Sequence, residues 1–181
     1  MKTEMICAGF GGQGVLTMGL IIANSFVWSG KDATWIASYG AEMRGGTANC
    51  HIKISDKEIF SPYVEEADII IALNGPSVNK FEGNVKSGGY LFVNNSIVPS
   101  TYHYRKDINV VLIPMTEIAN EIENPKGANL VMLGAVMEKK GMFGKDEFCR
   151  NIDKFFAQKG KTNTKNAVCF NSGWEYAENH K

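Results

Sequence analysis

No two of the four cysteines, at positions 7, 50, 149 and 169, stand at C-x-x-C spacing. Structural zinc and iron–sulfur clusters need several converging thiolates, usually with at least one close pair. The three histidines, His51, His103 and His180, are equally scattered. No metal is therefore expected, and the cysteines read as isolated buried thiols in a reducing compartment. A surplus of charge is also lacking, since 19 Lys and Arg balance 19 Asp and Glu. Nucleic-acid binders usually carry a basic excess, because neutralised phosphates supply most of their affinity, so nucleic acid is not expected as a partner. Long hydrophobic runs are missing too. The longest apolar stretch, Gly19 to Val27, is short and interrupted, so no contact with a membrane is expected. The opening Met1-Lys2-Thr3-Glu4 leads through a short apolar stretch into glycines, which reads as a strand and not as an exported leader. A cytoplasmic location is expected.

What is present suits a single globular domain over residues 1–181, with 44% apolar residues. Residues 4–9 read as a buried strand. Gly9-Phe10-Gly11-Gly12-Gln13-Gly14 follows, and then a helix with Leu16, Leu20, Ala23 and Val27 at helical spacing. This is the opening of a βαβ unit. A second strand is expected over 33–38, and a polar loop from Tyr39 to Thr47. Residues 48–54 alternate and are expected to turn at Asp56-Lys57 and pair with 58–60 as a β-hairpin. Ala67 to Leu73 reads as a strand buried on both faces. A helix from 74 to about 85 and strands at 90–93 and 109–113 come next. Helices then follow at 116–122, 127–139, 145–158 and 164–178. The fold class predicted is α/β, a Rossmann-like doubly wound, mostly parallel sheet with a β-hairpin insertion and a helical C-terminal third.

The glycine loop matches G-x-G-x-x-G between a strand and a helix. Glycines let a backbone approach an anion closely, and the helix N-terminus supplies free N–H groups and a positive dipole. The same glycines also suit a bare strand-to-helix turn, and both readings stay open. A dinucleotide site needs an acidic residue at the C-terminal end of the second strand. Asp32 precedes that strand instead, which counts against NAD. The second loop holds Glu42 and Arg44 beside Gly45 and Gly46. Arginine next to glycines suits a phosphate or carboxylate, and an Arg44 pairing with Glu42 or a partner fits equally. No Ser/His/Asp or Cys/His arrangement can be assembled, so no catalytic residue is expected in this chain. Asp68 is expected to cap the start of its strand.

Gly-Phe-Gly-Gly-Gln-Gly-Val at 9–15, Ser-Tyr-Gly-Ala-Glu-Met-Arg-Gly-Gly-Thr-Ala-Asn-Cys at 38–50 and Asn-Leu-Val-Met-Leu-Gly-Ala at 129–135 together resemble the gamma subunit of 2-oxoacid:ferredoxin oxidoreductases. The 2-oxoglutarate branch is the most similar, with the pyruvate and 2-oxoisovalerate branches close. The resemblance implies an enzyme complex that decarboxylates a 2-oxoacid and releases an acyl-CoA and reduced ferredoxin. It places thiamine diphosphate and iron–sulfur clusters on the partner subunits, alpha, beta and a ferredoxin-like delta. It also implies that this chain completes the coenzyme A side and is inactive alone. Carried onto these positions, the binding residues would be Gly11, Gly12, Gln13 and Gly14, donating backbone N–H groups, and Glu42, Arg44, Gly45 and Gly46, with Arg44 pairing charge. Two alternatives remain. One is a stand-alone flavin- or nicotinamide-binding oxidoreductase, and the other is an assembly module that binds no ligand. Whether the isolated chain forms a homodimer is open.

Overall fold

The computed structural model describes residues 2–39 and 47–180. Its elements run β1 (Lys2–Phe10), α1 (Val15–Trp28), β2 (Asp32–Tyr39), β3 (Thr47–Ser55), β4 (Ala67–Ala72), α2 (Gly75–Phe81), β5 (Val85–Asn94), β6 (Asn109–Ile113), α3 (Met115–Glu121), α4 (Ala128–Lys140), α5 (Lys145–Ala157) and α6 (Lys165–Asn179). The chain divides into two compact units. One holds residues up to 93 together with 97–112, and the other holds 94–96 and 113 onward.

The first unit is built on a six-stranded mixed sheet in the order β2-β3-β1-β4-β5-β6. β1 pairs in parallel with β4, and β4 with β5. The unbroken apolar runs Met5-Ile6-Cys7-Ala8 and Ile69-Ile70-Ile71 are fully buried, as central parallel strands require. Successive residues of β1 point to opposite faces, and each face has its own helix. Ile6 and Ala8 join Val78 and Phe81 of α2 in one apolar cluster. On the other face, Cys50 of β3 lies against the first turn of α1, its Sγ 3.8 Å from the Val15 carbonyl oxygen. The sheet is therefore wound on both sides. α1 ends where Gly30 takes a φ of 81° and its N–H donates to the Val27 carbonyl.

The antiparallel part differs in detail from the sequence-based expectation. β3 pairs with β1 on one side and with β2 on the other, both antiparallel. The hairpin is thus β2–β3, and residues 58–60 form no strand. With both edges of β3 occupied, no row of backbone groups remains there for 58–60 to join. β5 also starts at Val85, five residues before the strand expected at 90. Here α2 stops at Phe81, and a short 3-10 turn at Glu82–Asn84 leads straight into the strand.

The second unit is helical. α4 is buried from Ala128 to Met137 on all sides, which marks it as its central helix. α4 and α6 cross with their backbones in close contact. A Cβ on Gly134 would overlap the Phe170 carbonyl, and one on Gly173 would overlap the Val131 carbonyl. Phe148 and Phe170 stack at 5.5 Å and tie α5 to α6. Among the described residues, no helix is long and apolar enough to cross a membrane.

Candidate functional site

β1 delivers Phe10 to the C-terminal edge of the sheet, and Gly11 to Gly14 turn the chain into α1. The turn needs left-handed backbone at two places, with Gly12 at φ 96° and Gly14 at φ 75°. Gly9 is constrained differently, by space. A Cβ there would lie 2.7 Å from Gln13 Oε1, 2.7 Å from Val15 Cγ2 and 3.1 Å from Leu73 Cβ. Gly11 has open space around it, and both Gly11 and Gly12 are exposed. α1 begins with no side-chain cap and no acidic residue in its first turn. Its positive dipole end is therefore not offset by its own sequence.

Gln13 is held by hydrogen bonds within the protein. Its backbone N–H donates to the Phe10 carbonyl at 3.2 Å. Its side chain folds inward, where Oε1 accepts from the Phe10 N–H at 2.6 Å and from Asn74 Nδ2 at 3.0 Å. Nε2 donates to the Leu73 carbonyl at 3.3 Å. Gln13 thus fastens the glycine loop to the β4–α2 connection. Asn74 completes the link by capping α2, with Oδ1 accepting from the Ser77 N–H at 2.9 Å. The sequence placed the start of a helix at Asn74. Its N-cap pattern, Asn before Gly-Pro-Ser, was legible, but its bond to Gln13 was not.

The strand ends that flank the second loop lie at the same edge. Phe10 pairs with Thr47, and Tyr39 pairs with Ala48, so β2 and β3 open toward the glycine loop. Glu42, Arg44, Gly45 and Gly46 themselves lie outside the described residues. Asp32 is opposite Ser55, which is opposite Lys2. It therefore stands at the far end of the sheet from Gly11, and β3 separates its strand from β1. No acid on β2 is placed for a ribose at this loop.

Two other groups were invisible in the sequence. Cys7 and Cys50 are directly opposed on β1 and β3, so two of the four thiols are neighbours and not isolated. The Cys7 thiol is pushed well up by its hydrogen bond with Cys50 and by full burial. At the far end of β1, Glu4 Oε1 meets Lys53 at 3.1 Å and Lys2 at 3.3 Å, and Oε2 meets Lys86 at 3.0 Å. Asp68 joins them, accepting the Glu4 N–H at 2.8 Å and pairing with Lys86 at 2.8 Å. Burial alone would raise the Glu4 pKa, but the lysine contacts outweigh it and hold the carboxyl at about 2. This network holds the strand starts together.

A loop with exposed glycine N–H groups at an uncapped helix start can receive an anion, and no acid, base or nucleophile converges on it among the described residues. Comparison with known proteins gives this arrangement its context. A family model described as pyruvate ferredoxin/flavodoxin oxidoreductase matches residues 4–176. The chain belongs to that family. The 2-oxoglutarate synthase subunit KorC of Methanocaldococcus jannaschii is 34% identical over 180 residues, covering 98% of this chain and 95% of that protein. The ketoisovalerate oxidoreductase subunit VorA of Methanothermobacter thermautotrophicus is 37% identical over 172 residues, covering 94% of this chain. This oxidoreductase-family chain spans only 35% of the length of that VorA. The crystal structure of a keto/oxoacid ferredoxin oxidoreductase gamma subunit from Geobacter sulfurreducens superposes with a TM-score of 0.78, at 25% identity, over 97% of this chain and 98% of that one. The α/β fold is that of this gamma subunit.

Proposed function

We propose that this chain is the gamma subunit of a 2-oxoacid:ferredoxin oxidoreductase acting on 2-oxoglutarate. The observation that carries the reading is the match to KorC, which runs nearly end to end in both proteins. The family model crosses both compact units, which supports treating residues 1–181 as one domain of this type. The complete enzyme would convert a 2-oxoacid, coenzyme A and oxidised ferredoxin into acyl-CoA, carbon dioxide and reduced ferredoxin. Thiamine diphosphate and iron–sulfur chemistry would belong to alpha, beta and ferredoxin-like delta partners in the cytoplasm.

This chain would supply the coenzyme A side. Coenzyme A is the acyl acceptor and carries phosphates, which suit the start of α1. Gly11 and Gly12 would donate N–H groups, Gly14 would set the turn, and Gln13 would hold the loop's shape. Arg44, with Glu42, Gly45 and Gly46, would add charge and close approach from the neighbouring loop. The position of Asp32 weighs against a nicotinamide cofactor in the same place.

The test is to purify the chain anaerobically from its native host through a tag, and to assay dye reduction with a panel of 2-oxoacids. Co-purifying subunits and reduction that requires both 2-oxoglutarate and coenzyme A are expected. Preference for another 2-oxoacid would overturn the substrate assignment. Recovery of the chain alone, carrying a flavin or nucleotide, would overturn the whole reading.

A further inference from the structure

β3 ends at Ser55, and the chain then doubles back along its own strand as a strap. The Lys57 N–H donates to Ser55 Oγ at 3.0 Å, and the Val64 N–H donates to His51 Nδ1 at 3.2 Å. Between these two bonds, residues 58–63 form neither helix nor strand and make no hydrogen bond among the described residues. Their rings add little, since Phe60 is 91% and Tyr63 66% exposed. A cleft of about 270 Å³ is lined by Lys2, Lys53 and Ser55 of the strands and by Glu58, Ile59 and Ser61 of the strap, so the strap is not packed down on β3 there. Few contacts of this kind mark a segment that opens locally. Val64 fastens its far end, through the bond to His51 and through burial beside Ile6, Val78 and Phe81. Past it the chain is secured again, the Glu65 carbonyl accepting from Asn84 Nδ2 at 2.8 Å.

The His51 bond depends on protonation. A backbone N–H can only donate, so Nδ1 holds a free lone pair and the neutral ring carries its proton on Nε2. An imidazolium has donors at both nitrogens. Protonation therefore sets N–H against N–H and leaves the Val64 donor without an acceptor, whereas an opened strap gives both groups to water.

The surroundings oppose charge on the closed ring. Burial lowers its pKa, and Lys53 of β3 and Lys80 of α2 repel an imidazolium. On β1 the ring's strand neighbour is Ile6, and Glu4 further along is held by Lys2, Lys53 and Lys86. On β2 the neighbour is Ile36, flanked on the same face by Thr34 and Ser38. The acids on and beyond the strap, Glu58, Glu65 and Glu66, would favour charge, yet the net shift is downward.

We propose that His51 is a proton-operated latch. Neutral, it pins the strap of residues 58–63 to β3. Protonated, it releases the strap and opens that side of the apolar cluster shared with α2. The ring charges more readily once the strap is open, so acid favours opening by mass action.

The experiment follows amide hydrogen exchange of the full-length chain by NMR from about pH 7.5 to about pH 5, with each rate divided by its intrinsic value. Protection of the Val64 amide should fall about tenfold for each pH unit below 6.5 and level off below the folded pKa. Ile70, fully buried in the central strand β4, should keep its protection over the same range, which separates a local opening from global unfolding. His51→Asn keeps a side-chain acceptor and removes the titration, so its Val64 protection should not change with pH. A flat Val64 profile in wild type overturns the proposal. So does a parallel fall at Ile70, or the wild-type slope persisting in His51→Asn. Should that variant not fold, the wild-type comparison of Val64 with Ile70 still decides.

Discussion

The Asn74 side-chain amide donates to Gln13 Oε1 at 3.0 Å, across 61 residues of sequence. With the Phe10 N–H on the same oxygen, this bond makes the glycine loop and the cap of α2 one rigid corner. A loop fixed from behind presents its outer N–H groups in one arrangement before any ligand arrives, which lowers the ordering cost of binding.

Gln13→Ala should therefore destabilise the protein by about 1–3 kcal/mol, because the Phe10 N–H, the Asn74 amide and the Leu73 carbonyl each lose the bond to this side chain. Urea unfolding measures this. Gln13→Glu keeps an acceptor for Phe10 and Asn74 but sets a carboxylate oxygen against the Leu73 carbonyl, so it should fall between wild type and alanine.

Gly9 and Gly11 should separate folding from binding. Gly9→Ala forces a methyl against Gln13 and Val15 and should lower stability by about 1–3 kcal/mol. Gly11→Ala meets nothing within 4 Å and should leave the melting temperature unchanged. In the assembled enzyme, Gly11→Ala should raise the KM for coenzyme A while sparing that for the 2-oxoacid. An unchanged KM for coenzyme A would remove Gly11 from the binding site.

Glu4 should make stability depend on acid. Its pKa is about 2 in the folded protein, against 4.5 for the carboxyl in the unfolded chain. Its contribution, up to about 3 kcal/mol, is fully present above pH 4.5 and is lost as the pH falls through 2. Urea midpoints measured from pH 6 down to pH 2.5 should drop more steeply in wild type than in Glu4→Gln. Parallel curves would remove this role.

His51 should titrate below the usual 6.5. Burial favours the neutral ring, and Lys53 and Lys80 add like-charge repulsion. Its Nδ1 accepts the Val64 N–H, which a protonated ring cannot do. The stability it contributes is present above pH 6.5 and is lost as the pH falls through the lower folded value. A proton NMR titration of the His51 ring checks the direction, and a midpoint at or above 6.5 contradicts it.

Gly173→Ala should be among the most disruptive single changes, since its methyl would overlap the Val131 carbonyl, which belongs to helix backbone and cannot swing aside. A melting temperature within a degree or two of wild type would show that α4 and α6 can separate without cost.

The sequence by itself determined most of the secondary structure and the family to which the chain belongs. A short run of β-branched residues such as Ile69-Ile70-Ile71, bounded by turn residues, reads as a central strand, and the glycines at 9–14 read as a tight turn into α1. Those are local properties, readable from period and from backbone freedom. Pairing is not local. Tertiary structure alone decided that β3 lies between β1 and β2, which moved the hairpin and left 58–60 outside the sheet with Phe60 exposed. It alone brought Cys7 to Cys50 and Asn74 to Gln13, which makes Gln13 a brace for the glycine loop. The physical reason is common to all of these. A strand's period states which residues share a face, but only the competition among all strands for hydrogen-bonding edges states which strand lies beside it.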